Sequence, residues 1–136
     1  MMSTEKTYQD PAINLETERY WNAAKEGKLL LKRCNDCGEV HHYPRAICPR
    51  CLSSATEWVQ ASGRGRIYSY SVMRRVPVPY AIAYVTLDEG VTMMSNIVEC
   101  DFDQLAISQL VEVTFRTTTG GESIPVFRPL SSTGKA

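Results

Sequence analysis

Four of the five cysteines fall into two pairs of identical spacing, Cys34-Asn35-Asp36-Cys37 and Cys48-Pro49-Arg50-Cys51, with ten residues between Cys37 and Cys48. Two residues between thiols let both sulfurs of a tight turn face one ion. Two such turns supply the four tetrahedral ligands of a structural zinc site. The predicted metal ligands are therefore Cys34, Cys37, Cys48 and Cys51. Gly38 follows the first turn, where a positive φ lets backbone N–H groups point at the sulfurs, and glycine takes that conformation without steric cost. Leu52 stands at the equivalent place in the second turn, which must close differently or under strain. Iron in a rubredoxin-like electron carrier would use the same four thiolates. Zinc is preferred because the rest of the chain reads as a second module without a redox centre. With all four positions filled, the metal is expected to hold structure and to leave no open site for catalysis.

The remaining candidates for chemistry are weaker. His41 and His42 lie between the two turns and are superfluous as ligands once four thiolates are counted, so they read as packing or surface residues. Cys100 sits beside Asp101 and Asp103, whose charge discourages thiolate formation, and reads as a semi-buried thiol. Residues 1–15 mix Glu5, Lys6 and Asp10 with polar side chains and hold no apolar run, so no secretory signal is read and a reducing cytoplasm is the expected compartment. No stretch approaches the roughly 18 apolar residues of a membrane span.

At 136 residues the chain is long enough for one compact domain or two very small ones, and 43% hydrophobic with 22% charged residues excludes a disordered tail. Fifteen basic residues balance fifteen acidic ones, but unevenly: residues 25–75 carry ten basic against four acidic, the remainder five against eleven. This basic half suits phosphate groups or an acidic protein surface.

Asn14 as N-cap, Glu16 and Glu18 in the first turn, and Gly27 as stop frame a helix over about 15–26, whose Tyr20 and Trp21 read as core anchors. Strands are expected over 29–31, 56–61, 66–73, 80–87, 91–98, 110–117 and 124–128, with Asp88-Glu89-Gly90 as a hairpin turn. Alternation places Tyr68 and Tyr70 on one face. Five short antiparallel strands after a ribbon point to a small barrel of OB type, which removes exposed edges. The resulting division is a tail and helix over 1–27, a zinc ribbon over 28–56, an OB-fold over 57–130 and a flexible tail over 131–136.

The order of helix, Leu29-Leu30-Leu31, Cys34-x-x-Cys37-Gly38, Tyr43-Pro44-Arg45, Cys48-Pro49-x-Cys51, Leu87-Asp88-Glu89-Gly90-Val91, Val111-Glu112-Val113 and Val126-Phe127-Arg128-Pro129 resembles a family long catalogued as a domain of unknown function. Its members join a rubredoxin-like zinc ribbon to a C-terminal OB-fold. The likeness runs from about Asn14 to Leu130, departing at Ser108-Gln109, where the family often has Gly, and at Leu52, where it has a small residue. The resemblance implies a mainly β protein that serves as a non-catalytic accessory subunit. Such subunits dock on thiolase-superfamily enzymes or hotdog-fold hydratases, in hetero-oligomers that handle acyl-CoA in acyl transfer or retro-aldol chemistry, steroid and lipid side chains among the substrates. The nucleophile and base would belong to the partner. Coenzyme A phosphates would then be met by cationic side chains, for which Arg45, Arg64, Arg66 and Arg74 are the candidates, with Tyr68, Tyr70 and Tyr80 as stacking or interface residues.

A single-stranded nucleic-acid-binding module is the rival from another class, since basic segments with interleaved tyrosines also fit strands. A sequence pI near 6.7 argues against it, because nucleic-acid modules usually lie above about 9.

Overall fold

The computed structural model describes residues 7–130. Both termini, including the tail expected over 131–136, lie outside the described residues.

Helix α1 spans Glu18–Lys25. It starts later than its capping residue suggested because Asn14 organises a turn ahead of it: Asn14 Oδ1 accepts from the N–H groups of Glu16 and Thr17 at 3.0 and 3.1 Å, and its carbonyl accepts from Glu18 at 2.8 Å. Gly27 ends the helix at φ +79°, with Lys28 N–H donating to the Ala23 carbonyl and Gly27 N–H to that of Ala24, the paired bonds of a Schellman stop.

Strands β1 (Leu30–Cys34), β2 (Val40–His41) and β3 (Thr56–Gln60) form one sheet in the order β2-β1-β3. Strands β4 (Arg64–Met73), β5 (Tyr80–Leu87), β6 (Thr92–Ile97), β7 (Leu110–Thr117) and β8 (Ser123–Pro129) close a barrel in the order β4-β5-β6-β8-β7. The expected antiparallel arrangement is corrected at one seam, where β6 and β8 meet in parallel through Ile97 and Phe127. Topology requires this, since an odd number of strands cannot close with every neighbour antiparallel. β2 and a single 3-10 turn at Phe102–Gln104 were not foreseen; both are too short for a periodic signal.

Alternation builds the barrel interior. Ala81, Ala83, Val85 and Leu87 on β5 are all buried, as are Ile67, Met93, Ile97, Val111 and Phe127 from the other strands. Gly65 lets β4 approach β5: a Cβ there would lie 2.5 Å from the Thr86 carbonyl oxygen. A bulge at Tyr68 then reverses the phase of β4, since Ile67 pairs with Val85 but Ser69 with Tyr84. Tyr68 therefore stands out from the barrel, whereas Tyr70 falls in register with buried Ala83 and donates from its hydroxyl to the Leu105 carbonyl at 2.9 Å. The expectation of one shared tyrosine face is corrected by that extra residue.

The same core cluster joins the ribbon to the barrel. It takes in Leu29 and Leu31 beside β1, Ala61 after β3, and Tyr20 and Trp21 from α1, whose rings meet edge to face at 4.7 Å. An N-terminal strap reinforces the seam. Asp10 accepts from the Thr118 hydroxyl and from Gly120 N–H, Thr119 N–H donates to the Tyr8 carbonyl, and Lys25 pairs with Glu122 at 3.0 Å.

Candidate metal centre

The two Cys-x-x-Cys turns converge at the tip of the ribbon. β1 delivers Cys34 at its last residue, and the Sγ atoms of Cys34, Cys37, Cys48 and Cys51 all lie within 4.8 Å of one another. Cys34 and Cys51 stand 3.5 Å apart and Cys37 and Cys48 3.7 Å apart. A tetrahedral ion with metal–sulfur bonds of about 2.3 Å sets its ligands about 3.8 Å apart, so the socket has the dimensions the donor set demands.

Each turn closes on backbone hydrogen bonds to sulfur, from Cys37 N–H to Cys34 at 3.5 Å and from Arg50 N–H to Cys48 at 3.4 Å. Gly38 takes φ +78° as expected, and Leu52 takes φ +67°. The second turn thus closes like the first, with the strain that a branched side chain brings to the left-handed region. The thiols titrate unevenly. The Cys37 amide, ahead of opposing burial, brings Cys34 down to about 7. For Cys51 the Ser53 amide pulls downward, but the neighbouring sulfur of Cys34 and burial prevail and push it up to about 12. Four thiolates at this spacing repel one another, and a cation is what lets all of them ionise together.

The histidines between the turns serve packing, as read from sequence. His42 Nε2 lies 2.7 Å from the Tyr20 hydroxyl, and burial holds its imidazole down at about 4. His41 is half-buried, and both of its ring nitrogens are buried without a hydrogen-bond partner among the described residues. Cys100 is half-buried with its thiol raised by burial and then by Asp101, in keeping with an unreactive thiol.

The four candidate arginines are dispersed. Arg45 lies over the Tyr43 ring at 5.3 Å on the ribbon; Arg66 donates to the Ser108 carbonyl at 3.1 Å; Arg74 pairs with Asp103 at 2.9 Å. Arg64 is the first residue of β4 and Arg74 follows its last, roughly 30 Å away at the usual rise per strand residue. They do not converge on one pocket. Sequence reading passed over Lys32 and Trp58, which stack at 4.5 Å on the ribbon sheet. The available signal was the basic pair Lys32-Arg33 directly after the Leu29-Leu30-Leu31 run.

A four-cysteine ribbon fused to a closed five-stranded barrel defines a class of ribbon-plus-OB proteins. Family models match both halves: the ChsH2 rubredoxin-like zinc ribbon domain over residues 21–57, and the ChsH2 C-terminal OB-fold domain over 58–116. The chain belongs to this ChsH2 (DUF35) family.

Among curated relatives it is 35% identical over 124 residues to the probable enoyl-CoA hydratase alpha subunit of Thermomonospora curvata, covering 88% of this chain but 39% of that protein. It is 38% identical to a DUF35 domain-containing scaffold protein of Methanothermobacter thermautotrophicus, covering 74% and 82%. It is also 31% identical to the benzoylsuccinyl-CoA thiolase subunit BbsA of Geobacter metallireducens, covering 78% and 76%. A solved structure titled Ltp2-ChsH2(DUF35) aldolase superposes with a TM-score of 0.79 at 34% identity, covering 88% of this chain and 98% of that one. Homologues are thus named as subunits of hydratase, thiolase and aldolase systems. Among the described residues no helix is long and apolar enough to cross a membrane.

Proposed function

We propose that this chain is a zinc-bearing scaffold subunit that docks on a thiolase-superfamily catalytic chain and contributes to its handling of acyl-CoA. The observation that carries the reading is the match to a chain of the structure titled Ltp2-ChsH2(DUF35) aldolase, which extends over 98% of that chain. The relatives named for hydratase and thiolase subunits support a partner whose substrate is an acyl thioester. The four-sulfur socket is the proposed zinc site: its donors and dimensions suit a closed-shell tetrahedral ion, which would fix the ribbon against the barrel. The chain's own residues then act by position. The knuckles hold Ile47 and Leu52 exposed at the ribbon tip, and β4 and β5 hold Tyr68 and Tyr84 exposed on the barrel. These apolar side chains are the proposed docking contacts. Because Arg45, Arg64, Arg66 and Arg74 are spread over two modules, they are proposed as separate contacts along a partner or an extended cofactor.

Reconstitution tests this function. The isolated chain is expected to give no turnover of acyl-CoA substrates, and its addition to a thiolase-superfamily chain from the same organism is expected to raise that chain's turnover or lower its KM. Turnover by this chain alone, or a partner indifferent to its presence, contradicts the proposal.

A further inference from the structure

Residues 58–87 carry four arginines and no acidic residue, and all four stand on β4 or directly after it: Arg64, Arg66, Arg74 and Arg75. Of these, Arg74 alone forms an ion pair among the described residues, with Asp103. Arg66 donates to the Ser108 carbonyl, and Arg75 is exposed. The strand that bears them has an open side. Its first residues pair with β7, from Arg64 with Glu112 to Arg66 with Leu110. Ile67 completes that seam, donating to the Gln109 carbonyl at 3.0 Å and accepting from Ser108 N–H at 2.8 Å. Beyond it, residues 69–73 pair with β5 alone.

Register decides which groups that side presents. Leu87 N–H donates to the Val91 carbonyl across the β5–β6 hairpin, so the odd-numbered residues of β5 bond toward β6, and Tyr80, Ile82 and Tyr84 bond toward β4. Their partners on β4 are Met73, Ser71 and Ser69. The residues between, Tyr70 and Val72, therefore direct N–H and C=O away from β5, where no backbone partner meets them among the described residues. The loop after β6 reaches this stretch through side chains, the Tyr70 hydroxyl on the Leu105 carbonyl and Arg74 on Asp103. Past the bulge the edge holds neither charge nor proline, the residues that ordinarily blunt an exposed strand. Val72, Met73, Arg74, Arg75 and Val76 line a shallow cleft of about 340 Å³ at its end, and the Tyr68 and Met73 side chains are exposed alongside.

We infer that residues 69–73 of β4 take up an added strand from the catalytic partner, an extended segment with carboxylates at the end that passes Arg75. The inference rests on the docking proposed above and adds its mode and the chemistry of the partner's segment. Tyr70 and Val72 supply the main-chain bonds of strand addition, Tyr68 and Met73 the apolar contact, and the cleft at Arg75 selects an acidic side chain. A second copy of this edge does not fit, since it would set four arginines against four more with no carboxylate between them. Nucleic acid would meet the arginines and tyrosines, but it has no peptide groups to pair with a strand edge.

The test is the affinity of the zinc-loaded full chain for a thiolase-superfamily chain from the same organism, with amide hydrogen exchange measured on the complex. The parent should bind, and the amides of Tyr70 and Val72 should exchange at least tenfold more slowly in the complex than in the free chain. Val72→Pro deletes an outward N–H that the chain does not itself use, as an edge position tolerates, and Arg75→Glu reverses the charge at the cleft. Each should weaken binding at least tenfold. Circular dichroism and zinc content accompany both variants, and the exposed Arg75 keeps the test decisive if Val72→Pro fails to fold. A complex that both variants form as tightly as the parent, or one in which both amides exchange at the free rate, overturns strand addition and leaves docking standing. No complex with the parent removes the docking reading and this inference with it. Single-stranded DNA bound more tightly than the protein partner, lost in Arg75→Glu and kept in Val72→Pro, overturns it in favour of nucleic acid.

Discussion

The Tyr20 hydroxyl lies 2.7 Å from His42 Nε2, joining helix α1 to the loop between the two Cys-x-x-Cys turns. Tyr20 is 2% exposed, and the rings meet edge to face at 5.4 Å. Burial, and then the neighbouring His41, hold His42 near 4, below its ordinary 6.5. Near neutral pH the folded and unfolded chains both carry it neutral. As pH falls below about 6.5 the unfolded chain takes up the proton first, so stability is lost between about 6.5 and 4, by up to about 3 kcal/mol. Thermal melts of the parent and of His42→Gln across that window should differ in slope, the variant being the flatter. Parallel curves would remove His42 from the acid response.

The sulfur socket sets the second expectation. Cys34→Ser or Cys48→Ser leaves three thiolates and deletes a ligand that is wholly buried in either case. Structural zinc contributes about 10 kcal/mol or more to the folding of small modules, so both variants should lose metal and the ribbon's native structure. Metal content and circular dichroism are the readouts, and native melting in a metal-free variant contradicts the assignment.

Leu52 combines a φ of +67° with 76% exposure, so its side chain adds strain without compensating burial. A left-handed conformation costs an L-residue roughly 1–2 kcal/mol, part of which glycine returns as chain entropy in the unfolded state. Leu52→Gly should therefore stabilise the isolated chain by about 1 kcal/mol, visible as a higher Tm with zinc retained. If Leu52 meets the partner, the same variant should weaken the complex, separating the two roles.

Gly65 gives the opposite expectation at a site with no unusual dihedral. A methyl group there would meet the Thr86 carbonyl oxygen at 2.5 Å, Val85 Cγ1 at 3.0 Å and Leu87 Cα at 3.1 Å. Two of those are backbone atoms of the paired strand and cannot swing aside. Gly65→Ala should destabilise by about 1–3 kcal/mol, the range for overpacked sites, measured by denaturant unfolding.

Much of this architecture was legible because it depends on local pattern. The pairing of the four cysteines that cluster at the ribbon tip follows from spacing alone, and β5 and β7 begin and end where alternation placed them, at Tyr80–Leu87 and Leu110–Thr117. What escaped depends on partners distant in sequence. The bulge at Tyr68 exists only in the register between β4 and β5, so period-two reasoning assigned Tyr70 to the wrong face. The stacking of Lys32 on Trp58 likewise arises from the pairing of β1 with β3. The arginines were chosen by charge, and charge does not say that Arg74 is already paired with Asp103.

The central claim is that this chain works as a subunit. Co-expression with a thiolase-superfamily chain from the same organism, followed by size exclusion with light scattering, tests it most directly. The account predicts one peak containing both chains at a fixed ratio with one zinc for each copy of this chain; independent elution of the two proteins contradicts it.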